Sequence, residues 1–198
     1  MRILNSLLFR IKRLLGVQPT GRYDTVGCSR IKNWIRRQDN CVIESDLQVR
    51  GHDKALEDLR VGANCAIDKG CIFWVASESD SRPKIILGNR VYIGPYCFLG
   101  SDRLLSIGEN TIIGGFSYLI TANHRSDLRM PVQDQGYDSE PIRIGCDVWI
   151  GCHVVILPGV TIGDQAIIGA GAVVNRNVPT REKWAGVPAK KIGSRVSG

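Results

Sequence analysis

This chain has three histidines, and their settings separate one of them from the rest. His124 closes the run Thr121-Ala122-Asn123-His124, directly ahead of a polar segment, residues 125–143, that carries two prolines. A neutral imidazole titrates near pH ~6.5 and takes a proton from a hydroxyl at neutral pH. His153 lies in a turn between Ile150 and Val155, and His52 in the charged stretch His52–Arg60. Both read as solvated turn residues. A zinc hydratase would need three imidazoles converging on one metal. His124 and His153 stand 29 residues apart and no closely spaced pair exists, so no metal is expected. Seven cysteines without an export signal point to reduced thiols in a cytosol.

The element that must hold His124 is a repeat. Aliphatic residues recur every six positions, each followed by Gly, Asp, Leu or Asn, as in Ile144-Gly145, Ile150-Gly151, Ile156-Leu157, Ile162-Gly163, Ile168-Gly169 and Val174-Asn175. The same beat runs upstream through Val61, Ile67, Leu87, Ile93, Leu99, Ile107 and Ile113. Six is the period of neither an amphipathic helix nor a single strand. It fits an all-β solenoid of short strands and tight turns, three hexads closing one triangular coil. Cys65, Cys71 and Cys97 each follow a hexad aliphatic by four, an inward position for a small side chain, and read as core filler. The beat slips between Leu99 and Ile107 and bends at Ser77–Lys84. It breaks outright after Leu119, returning at Ile144. A loop of that length in so regular a solenoid is usually functional. Three regions follow: a basic helical arm over 1–40, the solenoid over 41–179 with its loop 125–143, and a capping tail over 180–198.

Charge is concentrated in the arm. Residues 1–37 hold nine Lys or Arg against one acid, Asp24, while the remaining 161 hold 17 basic and 18 acidic side chains. The basic balance therefore does not belong to the solenoid, which argues against nucleic acid as a partner. Residues 3–15 read as an amphipathic helix, with Ile3, Leu4, Leu7, Leu8, Ile11, Leu14 and Leu15 on one arc and Arg2, Arg10, Lys12 and Arg13 opposite. Two uses stay open for it, packing on a subunit or coil end and lying in an anionic membrane surface. No apolar run is long enough to span a bilayer, and Arg10, Lys12 and Arg13 spoil a secretory signal. The expected location is cytoplasmic, with peripheral contact at the inner membrane face as the variant.

From Ile144 to Ile192 the motifs D-V-W-I-G, I-L-P-G-V-T-I-G, I-G-A-G-A-V-V and A-G-V-P-A-K resemble the C-terminal half of the hexapeptide-repeat acetyltransferases. The T-A-N-H segment and extruded loop place the likeness with the sugar O-acetyltransferases of maltose, nodulation-factor and surface-polysaccharide type. It covers about residues 60–192. The resemblance implies a left-handed parallel β-helix, a homotrimer with active sites between neighbouring subunits, and acetyl-CoA as donor. It gives His124 the place of the general base that deprotonates a sugar hydroxyl for direct attack on the thioester. Trp149 matches a cleft-lining position, and Cys152 and Ala170 match positions whose backbone meets the pantetheine arm. Asn175, Arg176 and Lys190 match positions facing the nucleotide end of coenzyme A. Two departures stand out. Maltose-type relatives carry an Asn that Pro95–Ser101 lacks. Serine-acetylating relatives pair the His with an Asp, for which Asp127, Asp134 and Asp138 are equal choices here. The leading expectation is O-acetylation of a sugar hydroxyl in a surface polysaccharide or its precursor. N-acetylation of an amino nucleotide sugar, acetylation of an antibiotic hydroxyl and a non-catalytic trimeric scaffold are the alternatives.

Overall fold

The computed structural model describes residues 24–25, 28–35, 37–52, 54–76 and 84–196. The helix expected at 3–15 lies outside them, as does nearly all of the corner loop expected at Ser77–Lys84. The chain winds as the expected left-handed parallel β-helix, its strands stacking into three faces. Each coil visits the faces in one order. The coil at its most regular runs Trp149–Ile150 on the first face, Val155–Ile156 on the second and Thr161–Ile162 on the third. Stacked partners such as Val155 and Val173 are eighteen residues apart, three hexads. The hexad aliphatics point inward, and Leu87, Ile93, Leu99, Ile107, Ile113, Leu119, Ile150, Ile156 and Ile168 are all at most 2% exposed. Burial of this continuous column is the main stabilising term.

The glycine that follows most aliphatics of the first and third faces answers to a steric demand. A Cβ built on Gly114 would lie 2.6 Å from the backbone nitrogen of Cys152, one coil on, and one on Gly151 would lie 2.6 Å from that of Ala170. Glycine there is required by close coil approach, since neither residue has a positive φ.

The inward cysteines do more than fill space. Sγ of Cys65 donates to the Gly88 carbonyl at 3.1 Å, Cys71 to Gly94 at 3.3 Å and Cys97 to Gly114 at 3.3 Å. Thr111 continues the device, donating to Gly145 at 2.9 Å, and the Ser117 hydroxyl lies 2.8 Å from the Gly114 carbonyl and 3.2 Å from that of Gly151. Each donor satisfies a carbonyl of the next coil at a corner. Burial pushes the Cys65 thiol up, and for Cys97 the contact with Cys71 and burial act together in that direction. The Cys65 and Cys97 thiols therefore stay protonated, as donors must, while the contact with Cys97 shifts the Cys71 thiol down. Cys146 and Cys152, by contrast, are exposed.

The three corners are unequal. Between third and first faces the turn residue with positive φ is polar, as at Asn64, Asn110, Asp147 and Gln165. Between first and second faces the same backbone is taken by Gly70, Tyr96, Phe116, His153 and Gly171. Tyr96, Phe116 and His153 stack there with successive centroids 5.1 Å apart. The corner between second and third faces follows no such rule. From it leave the 3-10 helix Ala55–Asp58, the slip at Asp102–Leu104 and the long excursion after Ile120. His52, expected to be solvated, is buried at this corner. Its side chain is 8% exposed, with Nε2 2.8 Å from Asp58 Oδ2. The cause is the 3-10 turn, which buries Ala55 and Leu56 and draws the charged stretch inward.

At the two ends of the coil stack lie non-repeat segments. Helix α1, Cys28–Ile35, buries Ile31 and packs Trp34 and Ile35 on the core. Glu182–Ala185 adds a parallel strand beside Ile167–Ile168, and Lys190–Ser194 pairs back on it antiparallel. No helix among the described residues is long and apolar enough to cross a membrane.

Candidate active site

The break in the hexad beat is a β-hairpin. Tyr118 on the second face partners Val155, thirty-seven residues on instead of eighteen. The surplus leaves as Ala122–His124 and Tyr137–Ser139, paired antiparallel with His124 opposite Tyr137. Gln135 ties the hairpin tip, accepting from the Asp127 N–H at 2.6 Å and donating to the carbonyls of Asp127 and Met130 at 2.7 Å each. Leu128 at the tip is fully exposed, with Met130 and Val132 about half exposed.

Beneath the hairpin a buried polar cluster fixes its root. The hydroxyl of Thr121 accepts the N–H groups of Asp102 at 2.8 Å and Arg103 at 3.0 Å. Lys84, fully buried, donates Nζ to the Asp102 carbonyl at 3.1 Å. The Ser101 hydroxyl lies 2.7 Å from the Arg103 carbonyl and 3.0 Å from that of Lys84. A buried N–H left bare costs about 1–3 kcal/mol, so Thr121 holds the slip at 102–104 and the start of the hairpin in one geometry.

Between hairpin and second face lies a cleft of about 290 Å³ with His124 on its rim. Its wall is aromatic. Phe98 and Tyr118 stack at 4.6 Å and 12°, Trp74 stands against Phe98 at 6.2 Å and 52°, and Tyr137 packs on the His124 ring at 4.4 Å. Burial pushes the Tyr118 phenol up, so it presents a neutral hydroxyl. Of the aspartates that could have oriented the imidazole, Asp127 is bonded to Arg129 and Asp138 to Arg125. Asp134 sits in the 3-10 turn Val132–Asp134 at the tip. The ring is positioned by the hairpin register and by Tyr137.

The remaining expected residues fall elsewhere on the prism. Trp149 is on the first face and 56% exposed. Cys152 and Ala170 occupy exposed turns on the corner between first and second faces, one coil apart, with the Gly171 N–H donating to the Cys152 carbonyl at 2.9 Å. Asn175 and Arg176 are exposed just past Val173–Val174, on the corner from which His124 leaves. Lys190 opens the final strand, opposite Ala185, and is exposed. The structure thus brings Cys152 and Ala170 into one column, but a single protomer does not set Trp149 against His124. Sequence reasoning missed Trp74, Phe98, Tyr118, Tyr137 and Lys84. The signal for two of them was present: Phe98 and Tyr118 directly precede the hexad aliphatics Leu99 and Leu119, so both rings must face outward.

Comparison with known proteins bears on the fold that carries these residues. Residues 141–176 match the family model described as bacterial transferase hexapeptide (six repeats). The chain is 36% identical over 132 residues to the galactoside O-acetyltransferase of Escherichia coli, covering 67% of this chain and 62% of that protein. Among solved structures, a maltose O-acetyltransferase from Clostridium difficile matches with a TM-score of 0.61 and 27% identity, over 73% of this chain and 74% of its own. A hexapeptide-repeat acetyltransferase from Vibrio cholerae, solved with acetyl coenzyme A, matches at 0.58 and 27%, over 85% and 78%. The chain spans 62%, 36% and 50% of three curated relatives it matches, less than two thirds in each case.

Proposed function

We propose, for a chain that belongs to the hexapeptide-repeat transferases, that it transfers the acetyl group of acetyl-CoA to a sugar hydroxyl of a surface polysaccharide or its precursor. The observation that carries the reading is an imidazole held by a pinned hairpin on the rim of a cleft of saccharide size. When bound, acetyl-CoA supplies an activated carbonyl. Cys152 and Ala170 fit its pantetheine arm, since small exposed turn residues leave their backbone groups within reach. Arg176 and Lys190 fit its phosphates as exposed cations, and Asn175 and Trp149 complete the proposed binding set.

His124 takes the acceptor proton as the sugar oxygen attacks, and returns it to the departing sulfur. The imidazole therefore ends each turnover neutral. Exposed apolar side chains at the hairpin tip, Leu128 above all, support a homotrimer in which the hairpin of one protomer meets the Trp149 face of the next. That arrangement would unite the residues a single protomer keeps apart.

Two measurements test the reading. Sugar-dependent release of thiol from acetyl-CoA is expected, and its absence across a broad saccharide panel overturns it. Coenzyme A should also slow alkylation of Cys152 at least about tenfold while leaving Cys146 unaffected, read by mass spectrometry. Equal rates at Cys152 with and without coenzyme would displace the proposed donor track. A peripheral contact of residues 3–15 with an anionic membrane face, supported by their apolar arc and basic opposite side, belongs to the same proposal. Unchanged co-sedimentation with anionic vesicles after removal of residues 1–19 would refute it.

A further inference from the structure

Away from His124, at the end of the coil stack where the chain enters, α1 and the 3-10 helix Ala55–Asp58 enclose a groove of about 420 Å³. Its floor is Leu56 and Leu59, both buried. Arg30 and Trp34 line it from one side of α1, a helical turn apart, and Arg37 continues that side, its N–H donating to the Trp34 carbonyl at 3.1 Å. Arg60 faces them from Leu59–Val61, the edge strand of the third face. Its Nη1 donates to the carbonyls of Glu57 at 2.9 Å and Leu59 at 3.0 Å, which fixes the guanidinium on the rim. Three guanidinium groups thus border the groove against one carboxylate, Glu57.

Guanidinium groups take phosphate oxygens through paired N–H donors. Residues 3–15 of the chain itself carry Arg10, Lys12 and Arg13 and would be repelled from such a groove. A small free phosphate would leave the rest of the charge at this end unused. That charge is large, since residues 1–37 hold nine Lys or Arg against one acid. The strand Asp24–Thr25 pairs with Arg50–Gly51, so the chain leading into it is tethered at the end that carries the groove. An anionic bilayer meets all of these cations at once, and a half-buried indole such as Trp34 suits its headgroup layer. We propose that this end of the prism docks on an anionic bilayer, with a lipid phosphate seated among Arg30, Arg37 and Arg60. The inference goes beyond the contact of residues 3–15, because it puts a headgroup site on the folded body, and it is independent of acetyl transfer.

The test is co-sedimentation of the full-length chain with two kinds of vesicle, phosphatidylcholine alone and phosphatidylcholine with about a quarter phosphatidylglycerol. Binding to the anionic vesicles only is expected. Arg37→Gln combined with Arg60→Gln should weaken it by about tenfold or more, whereas Lys69→Gln combined with Arg143→Gln, which removes the same charge elsewhere, should weaken it by less than about threefold. Arg37→Glu alone, at an exposed position, should give a similar loss and serves if the double variant melts early. Arg10→Gln combined with Arg13→Gln separates the two contacts. A loss confined to that pair leaves the contact of residues 3–15 standing and overturns the groove, and a loss confined to the groove variants does the reverse. No binding of the wild-type chain to anionic vesicles, or equal losses from the groove and control pairs, also overturns it. So does a groove that takes soluble glycerol phosphate, read as Arg37-dependent calorimetric binding, while anionic vesicles are ignored.

Discussion

Replacing His124 by alanine is expected to lower kcat for acetyl transfer by about 10²–10⁴-fold, the usual worth of a positioned general base. The melting transition should stay where it was. Both expectations follow from how the residue is held. Its backbone is paired opposite Tyr137, and its ring is exposed at the cleft rim with Tyr137 as its aromatic neighbour. Removing the ring opens no core cavity and strands no buried partner. KM for acetyl-CoA should move little, because the proposed donor contacts lie on other residues. A fall in kcat with intact coenzyme affinity is the signature of a group used in the transition state. A variant as fast as wild type would remove His124 from the chemistry.

Gly151→Val should damage the protein in a different way. Adding bulk to a pliable core costs about 1–3 kcal/mol because side chains give way. Here the obstacle is backbone. The new Cβ would lie 2.6 Å from the Ala170 nitrogen and 2.8 Å from its Cα, so the two coils must part. The Gly151 N–H bond to the Ile168 carbonyl, 2.8 Å long, goes with them. We expect a loss beyond about 3 kcal/mol in chemical denaturation, together with weaker coenzyme binding along the Cys152–Ala170 column. Gly136→Ala is the contrast. Its φ of +78° is unfavourable for an L side chain, but nothing lies within 4 Å, so about 1–2 kcal/mol is the expected cost. Equal stabilities for the two variants would contradict the close-approach explanation of the repeat.

The repeat was legible because an inward aliphatic recurs at every hexad and, on most coils of the first and third faces, a glycine follows it where the next coil passes. Local sequence therefore repeats whenever local geometry does. The position of His124 was legible for the converse reason, as a residue standing where the beat stops. What replaces the beat was not legible. Residues 121–141 pair as a hairpin whose register depends on contacts such as Gln135 with Asp127, and no period announces these. His52 misled because a charged stretch reads as solvated, whereas the 3-10 turn at Ala55–Asp58 folds the stretch onto the core. The aromatic wall escaped notice because outward positions of a hexad carry no packing rule. Phe98 and Tyr118 are related only through the stacking of coils, twenty residues apart. Lys84 was hidden similarly, since a lysine beside a polar loop gives no sign that its ammonium is buried against the Asp102 carbonyl.

Stacked coils also make the protein a ruler with a fixed graduation. Strands of one face are spaced about 4.8 Å apart, so Cys152 and Ala170 mark two adjacent ticks. On the proposed donor track, the reach between the acyl end and the phosphate end would then be metered in whole coils. Splicing one extra eighteen-residue unit between Ile156 and Val174 would lengthen that reach by a single graduation without moving the imidazole, and so retune the proposed transfer to a donor of a different span.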